Sequence, residues 1–342
     1  MKILIIQHII PEYRIPLFNA LSKTHDLTVF HSGVSIVNKK SNFKEKVLKV
    51  RKLSKFNFQV GLFKEISKSD FDVIIPMFDL AWIKNLLLVF FGSQKILLWG
   101  HRYSESRIAG SIRNFFMKRA DGLIQYSDCE VSRMISNGID PEKIFIAHNT
   151  MDISNHGLGN EEKSTFIFVG RAQERKQINE FLHAFAQVIK DIPKNITINI
   201  VGEGDENVKL KLLAKNLKIE DRVFFRGAIH DHEVLKSYYH KAIAYVSPSA
   251  VGLSVLHSLA YGVPVVTKKH GKQHGPEFSN IKNNENGIIY DQEKLSDVLL
   301  KLVNNKKFAI ELGENGYNHY KNNRTIQIMV NGFEEAISSL KN

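Results

Sequence analysis

Residues 245–266 read Tyr-Val-Ser-Pro-Ser-Ala-Val-Gly-Leu-Ser-Val-Leu-His-Ser-Leu-Ala-Tyr-Gly-Val-Pro-Val-Val. This stretch predicts a buried strand, a loop, a helix that begins at Gly252, and a second buried strand after Pro264. A helix that starts at the carboxyl end of a parallel strand presents unpaired N–H groups and a positive dipole end, which favour a diphosphate. Because every α/β protein contains strand–helix–strand units, this stretch alone leaves the ordinary structural interpretation equally open.

Predicted strands and helices alternate along the whole chain. Short Ile-, Leu- and Val-rich runs, typical of strands covered on both faces, occur at 2–6, 27–31, 72–76, 95–99, 122–126, 143–147, 165–169, 196–201, 223–226, 243–247, 263–267 and 287–290. Helical patterns occur at 14–23, 80–91, 105–119, 129–137 and 176–190. This alternation implies parallel sheets joined by right-handed crossovers.

A polar, turn-rich segment at 148–164 divides the alternation into two series. A chain of 342 residues exceeds one typical domain. We therefore expect an α/β protein with two Rossmann-like domains that face an interdomain cleft. The predicted domains are 1–155 and 156–322, with a C-terminal helix at 323–342 that packs back on the N-terminal domain.

The composition is that of a globular protein from a reducing compartment. Hydrophobic residues make up 43% of the chain and charged residues 24%, which suffices for a core. The single cysteine, Cys129, excludes a disulfide framework within the chain and favours the cytoplasm. We expect no membrane span, because no uncharged apolar stretch approaches the length of about 18 residues that one requires. The short apolar run at 3–6 indicates a first strand rather than a signal peptide.

The net charge of +12 is concentrated in the first half of the chain. Residues 38–68 hold ten basic and two acidic side chains, interleaved with Phe, Leu and Val. Such a segment suits an anionic membrane surface, where each nearby Lys or Arg contributes about 1 kcal/mol. A solvated loop is the alternative interpretation. We expect no nucleic-acid partner, because the sequence lacks zinc-ligand spacing, RNA-binding aromatic motifs and a recognition-helix pattern.

Two cations follow the predicted strand at 165–169. Arg171 comes directly after Gly170 at the strand end, and Lys176 stands at the start of the predicted helix 176–190. Ligands of doubly wound sheets bind at this edge. Two cations there would hold both phosphates of a nucleoside diphosphate leaving group and offset its charge as the sugar bond breaks. Solvated charges on a loop are the alternative.

Several motifs, taken in order, resemble the C-terminal domain of the family 4 retaining glycosyltransferases, which have the GT-B fold. They are Phe-Val-Gly-Arg with Lys176, then the segments 200–204, 223–227, 246–249 and 260–266. The resemblance covers residues 165–290, and it implies an N-terminal acceptor-binding domain and a C-terminal nucleotide-sugar-binding domain. The Gly202-Glu-Gly204 sequence lacks the third glycine of a dinucleotide fingerprint, which argues against a dehydrogenase.

The resemblance also implies which residues form the site. Catalytic positions are Arg171, Lys176 and His101, and His101 follows the predicted strand 95–99. Donor and nucleotide contacts are expected at Gly170, Gly202, Gly204, Ser249, Gly252, Leu253, Ser254, His257 and Glu277. The loop after the first strand indicates acceptor contact by Tyr13 and Arg14.

The chain departs from the family at two glutamates that stand eight positions apart. In the family the first typically contacts the donor sugar and the second the ribose hydroxyls. The matching residues here are Ser249 and His257, and neither supplies a carboxylate. Glu277 is a candidate replacement for the lost carboxylate, with an ordinary surface loop as the alternative.

The sequence thus predicts a cytoplasmic, retaining glycosyltransferase, peripheral at the inner membrane surface, that serves cell-surface polysaccharide synthesis. The donor would be a nucleotide diphosphate-sugar, with UDP favoured over GDP, and the acceptor a saccharide or a lipid-linked saccharide. No cofactor or metal is expected. A GT-B nucleotide-sugar epimerase is one alternative. A non-catalytic glycan- or membrane-binding relative is another, suggested by Ser249 and His257.

Overall fold

The chain divides into two compact units. Unit 1 comprises Met1–Asp152 and Ile326–Asn342, and unit 2 comprises Ile153–Thr325. The boundaries predicted from the sequence stand after residues 155 and 322. The structure is a computed structural model that describes residues 1–36, 41–90, 93–100, 106–153, 155–271 and 274–341.

Unit 1 is built on a parallel sheet whose strands follow the apolar runs of the sequence. Its strands are β1 (Lys2–Ile6), β2 (Asp26–His31), β3 (Lys44–Val47), β4 (Val50–Leu53), β5 (Phe56–Gln59), β6 (Val73–Pro76), β7 (Lys95–Trp99), β8 (Gly122–Gln125) and β9 (Ile144–Ile146). Seven of the strands in the described residues form one sheet in the order β3-β2-β1-β6-β7-β8-β9. The first helices are α1 (Ile15–Leu21), α2 (Leu62–Ile66), α3 (Ile83–Leu87), α4 (Arg107–Arg119) and α5 (Val131–Ser136).

Strands β3, β4 and β5 lie in the basic segment 38–68, where the sequence predicted none. Strand β3 adds a parallel edge to β2, and β4 and β5 form an antiparallel hairpin with Ser54 at a φ of 53° in its turn. The apolar residues of this segment are separated by lysines, so the continuous buried run that marks the other strands is absent. The interpretation of the whole segment as a solvated loop is therefore wrong. The predicted helix 80–91 is also too long, since α3 covers only Ile83–Leu87.

Unit 2 repeats the arrangement with a second parallel sheet. Its strands are β10 (Thr165–Val169), β11 (Thr197–Val201), β12 (Val223–Gly227), β13 (Ala242–Val246), β14 (Val265–Lys268) and β15 (Gly287–Tyr290). Their order in the sheet is β12-β11-β10-β13-β14-β15. The helices are α6 (Ile178–Val188), α7 (Asn207–Asn216), α8 (His232–His240), α9 (Ser254–Ala260), α10 (Leu295–Asn304) and α11 (Lys306–Asn323). All six predicted strands of this half are confirmed; most are apolar runs covered on both faces, whereas the edge strand β12 alternates buried and exposed residues.

The chain ends in unit 1 with α12 (Ile326–Ser338), which packs on the sheet of that unit. Phe333 of this helix meets Trp99 of β7 edge to face, with ring centroids 4.9 Å apart. Gly332 lies against the backbone of β9, where an added Cβ would stand 2.3 Å from the carbonyl oxygen of Ile146. Among the described residues, no helix combines the length and the hydropathy that crossing a bilayer requires.

Candidate functional site

Lys176 is a buried cation at the carboxyl edge of the unit 2 sheet. It lies in a short 3-10 turn, Glu174–Lys176, between β10 and α6. Gln177 follows with a φ of 52°, and this left-handed residue separates the turn from α6, which begins at Ile178. Only 7% of Lys176 is exposed, and its Nζ donates a hydrogen bond to the carbonyl oxygen of Ala250. The sequence predicted this lysine as the first residue of the helix, whereas the structure places it in the turn two residues before α6.

The charge of Lys176 is poorly solvated. Burial and, to a smaller extent, the neighbouring Arg175 lower the pKa of its ammonium group to about 8, while Glu277 opposes both effects. Glu277 is itself buried, in the turn Pro276–Asn280, so it is no surface-loop carboxylate. Lys176 and Glu277 therefore form one buried charged site within unit 2.

The loop before α9 presents backbone N–H groups beside Lys176. The first helical residue is Ser254 rather than the predicted Gly252. The amides of Gly252, Leu253 and Ser254 donate to no acceptor in the described part of the chain. A Cβ added at Gly252 would meet nothing within 4 Å. The loop thus leaves donors and open space next to a buried cation, an arrangement suited to an anion.

Contacts on both sides fix this loop. The amide of Val251 donates to Nδ1 of His274 at 3.3 Å, and its carbonyl oxygen accepts from the amide of Gly275 at 2.8 Å. Ser249 is fully buried, and its carbonyl oxygen accepts from the hydroxyl of Ser247 at 2.8 Å. Ala250 has a φ of 48°, a strained value for a residue with a side chain. The loop conformation that Lys176 contacts is therefore held in place by its surroundings.

Gly202 and Gly204 pack two loops together. A Cβ on Gly202 would stand 2.0 Å from the carbonyl oxygen of Gly170, and one on Gly204 would stand 2.1 Å from that of Ala172. Gly170 and Gly202 have φ values of 145° and 134°. Arg171 projects from this packed turn as an exposed side chain, with no hydrogen bond or ion pair to the described residues. The glycines thus fix the backbone from which Arg171 extends.

A buried polar network, which no sequence pattern indicated, supports the Glu277 turn. Asn280 donates through Nδ2 to the carbonyl oxygen of Glu277 at 3.0 Å. Its Oδ1 accepts from Nε of Arg324, and its own carbonyl oxygen accepts from Nδ2 of Asn286 at 2.9 Å. These residues lie far apart in the sequence, so no local pattern indicates their meeting.

His257 lies on α9 among aromatic side chains. Its ring centroid is 6.0 Å from that of His232, 6.3 Å from that of Tyr239 and 6.3 Å from that of Tyr261, with which it stacks. Its Nε2 is shielded and has no partner among the described residues. Burial, and then the nearby His232, lower the pKa of His257 to about 4. Its contact with ribose stays a prediction.

In unit 1, Arg14 is buried rather than displayed for an acceptor. Its guanidinium lies 4.5 Å from the ring centroid of Trp99 and 5.1 Å from those of Tyr13 and Tyr126. Only 3% of Arg14 is exposed, whereas Tyr13 is partly exposed. His101, the predicted catalytic histidine, lies outside the described residues.

A second polar group stands where two neighbouring strands of unit 1 end. His8 follows β1 and Asp79 follows β6, and Nε2 of His8 lies 3.9 Å from a carboxylate oxygen of Asp79. The imidazole stacks on Trp82 with ring centroids 4.1 Å apart and planes 8° apart. Burial lowers the pKa of His8, and Asp79 partly opposes that effect. The sequence signal for this pair is a polar residue within three positions of the end of each of two buried strands.

Comparison with known proteins identifies the class of enzyme. Residues 151–319, which include the whole Lys176 site, match the family model described as "Glycosyl transferases group 1". Anabaena Alr3699/HepE, solved in complex with UDP, superposes with a TM-score of 0.78 over 99% of this chain and 100% of that chain, at 16% identity. The chain is a GT-B glycosyltransferase. The predicted fold class and enzyme class are thereby confirmed.

Two curated relatives of this glycosyltransferase have names that include a lipid. The Streptococcus pneumoniae alpha-monoglucosyldiacylglycerol synthase is 33% identical over 193 residues, which are 54% of this chain and 42% of the relative. The Campylobacter jejuni GalNAc-alpha-(1->4)-GalNAc-alpha-(1->3)-diNAcBac-PP-undecaprenol alpha-1,4-N-acetyl-D-galactosaminyltransferase is 24% identical over 327 residues, covering 88% of this chain and 87% of the relative.

The pKa of His257 predicts how the stability of this glycosyltransferase depends on pH. The native imidazole stays neutral down to about pH 4, whereas in the unfolded chain it takes up a proton near pH 6.5. The unfolded state therefore binds more protons between these values, and the free energy of unfolding should fall by about 3 kcal/mol as the pH drops from 6.5 to 4. Urea titrations of wild type and His257→Phe at several pH values measure this difference.

His257→Phe keeps an aromatic ring in place and removes the titration. Carboxylates and His8 contribute equally to both proteins, so they cancel when the two curves are subtracted. Wild-type and His257→Phe curves that stay parallel from pH 7 to pH 4 would contradict the assignment. A ribose contact by this neutral imidazole would stay intact at pH 5, so nucleotide binding should not weaken as the pH falls through 6.5.

Proposed function

We propose that the protein is a retaining family 4 glycosyltransferase that moves a sugar from a nucleotide diphosphate-sugar, with UDP favoured over GDP, to a lipid-linked saccharide. The observation that carries this proposal is the buried ammonium of Lys176 beside the free amides of the 252–254 loop. A cation beside unpaired backbone amides favours an anionic ligand, and the open space at Gly252 gives a diphosphate room to reach both. The proposed role is cell-surface polysaccharide synthesis.

The proposed chemistry is a substitution at the anomeric carbon. The bond from that carbon to the diphosphate oxygen breaks, and the leaving diphosphate takes up the charge. Lys176, Arg171 and the loop amides offset that charge in the transition state. The acceptor hydroxyl forms its bond on the face that the diphosphate leaves, and its proton passes to a diphosphate oxygen. No protein nucleophile is required, and Ser249, which is buried, supplies no carboxylate for one.

The names of relatives support retention and a lipid acceptor. The Streptococcus and Campylobacter enzymes are both named for alpha-linked products, and their names include diacylglycerol and PP-undecaprenol. HepE was solved with UDP, and also with UDP-glucose. An alpha product from an alpha-linked nucleotide sugar is the outcome of retention.

We further propose that His8, Asp79 and Trp82 contact the acceptor sugar. An imidazole and a carboxylate form hydrogen bonds with hydroxyl groups, and a partly exposed aromatic ring can lie against the apolar side of a sugar ring. Tyr13 stays a proposed contact because it is partly exposed, whereas the buried guanidinium of Arg14 holds aromatic rings together.

The hairpin β4–β5 supports a peripheral position at the cytoplasmic face of the inner membrane. Leu53 near its tip is 65% exposed and Val60 at its base is 53% exposed. The exposed basic side chains of the hairpin are Lys49, Arg51, Lys52 and Lys55. Basic and apolar groups exposed together suit the interface of an anionic bilayer.

The proposal predicts a selective response to nucleoside diphosphates. In a thermal-shift screen against UDP, GDP, ADP and CMP, UDP should raise the melting temperature most, because binding to the native state alone stabilises it. The purified enzyme should also release UDP slowly from a UDP-sugar, and the anomeric proton of a transferred sugar should show retention by NMR. Equal responses to all four nucleotides would contradict the donor assignment. An epimerised sugar formed without acceptor would indicate an epimerase.

A further inference from the structure

Helix α4 of unit 1 carries an apolar stripe on its exposed side. Ile108, Ile112 and Phe115 are 75%, 43% and 45% exposed. With 3.6 residues per turn, these positions lie within about 60° of one another around the helix. Phe90, 42% exposed, extends the stripe, since its ring centroid is 5.9 Å from that of Phe115. The stripe is a contiguous apolar surface, and such surfaces with a polar rim mark sites of interaction with a membrane or a protein.

The exposed stripe is not needed for the packing of α4 in unit 1. Met117, on the opposite side of the helix, is fully buried and belongs to the same core cluster as Leu62 and Ile66 of α2. Gly110 is also buried on that side. The helix therefore already has a face that holds it to the sheet, and the outer stripe is available for another partner.

The charge of α4 identifies what kind of partner fits. Its 13 residues include four basic and no acidic side chains. The guanidinium of Arg119 lies 3.9 Å from the ring centroid of Phe115 and 5.4 Å from that of Phe90, so this cation lies at one end of the stripe. Arg107 and Lys118 are exposed and flank the stripe at about 80–100°. An apolar stripe with cations along one edge is typical of a helix that lies in the membrane interface.

We propose that α4 and Phe90 dock on an anionic bilayer, with Ile108, Ile112 and Phe115 among the lipid chains and the flanking cations at the lipid phosphates. A bilayer fits better than a protein surface because α4 carries four basic and no acidic side chains, a charge that complements anionic lipid phosphates. The inference rests on the proposed function, in which the acceptor is linked to a lipid of that bilayer.

Sedimentation with lipid vesicles tests the docking surface. Wild-type protein should sediment with vesicles that contain phosphatidylglycerol and much less with pure phosphatidylcholine. The double variant Ile108→Glu/Phe115→Glu should lose partitioning by a factor on the order of ten or more, because both changes place charge in the apolar layer. The matched control is Val208→Glu/Leu212→Glu on α7, whose side chains are 79% and 59% exposed. We expect the control to bind as wild type, because α7 has the acidic Glu206 at its start and is not part of the proposed docking surface.

Salt separates α4 from the hairpin. As the Debye length shortens from about 10 Å at 0.1 M to about 3 Å at 1 M, the charge-driven share of binding should fade. The apolar share from α4 should persist, whereas replacing Lys49, Arg51, Lys52 and Lys55 by Glu should remove chiefly the salt-sensitive share. The inference is overturned if the α4 variant partitions like wild type, if the α7 variant loses as much, or if wild type ignores anionic vesicles at 0.1 M salt. UDP binding measured without lipid tests the proposed function separately.

Discussion

Replacing Lys176 by methionine should weaken UDP binding by about 10- to 150-fold, because a charge-assisted contact to a buried phosphate contributes about 1.5–3 kcal/mol. Methionine fills much of the space of the lysine stem but brings no charge. Isothermal titration with UDP at neutral pH measures the effect. The matched control is Arg175→Ala, which removes an exposed cation one position away and should leave UDP affinity unchanged or slightly higher.

The pKa of Lys176 adds a second, independent readout. With a pKa of about 8, the ammonium of the free protein loses its proton as the pH rises through that value. UDP affinity should therefore decline above pH 8 in wild type, while the Lys176→Met variant should lack this decline. Arg171→Ala should weaken binding without changing the pH profile. Wild-type UDP affinity in both Lys176→Met and Arg171→Ala would show that the diphosphate binds elsewhere.

The fold was predictable because most strands are signalled by their own residues. Strand β10 occupies the apolar run 165–169 as predicted, since both of its faces are covered and every position favours a buried side chain. The hairpin β4–β5 was not predictable in this way. Every position of β4 is exposed and β5 is only partly buried, so neither of these short paired segments is a continuous buried run.

The candidate site was predictable where it lies at a strand end and unpredictable where it depends on burial. Lys176 and the 252–254 loop lie in the connections that come after the ends of β10 and β13. The burial of Glu277 depends instead on Asn280 and Arg324, which a polar segment and a distant helix end supply. Burial of a charge is a property of the surroundings, and the surroundings are assembled from distant parts of the chain.

Three glycines of unit 2 differ in their surroundings: Gly202 and Gly204 pack against backbone, whereas Gly252 borders open space where a ligand can bind. Replacing Gly202 by alanine should destabilise the protein by more than about 3 kcal/mol, because the new Cβ meets a backbone carbonyl and the φ of 134° is costly for any other residue. Gly204→Ala should do the same, since its Cβ would overlap the backbone of Ala172. Urea unfolding of each variant measures these losses.

Gly252→Ala is the matched substitution with the opposite expectation. Its Cβ meets nothing within 4 Å, so the free energy of unfolding should stay within about 0.5 kcal/mol of wild type. UDP affinity should nevertheless fall by about tenfold or more, which is the effect of losing one hydrogen bond to an anion. The methyl group would occupy the space through which a diphosphate reaches the loop amides. A stability loss in Gly252→Ala comparable with that in Gly202→Ala would contradict the interpretation that Gly252 is not needed for packing. Unchanged UDP affinity in a stable Gly252→Ala protein would mean that the open space beside Lys176 is not where the diphosphate lies.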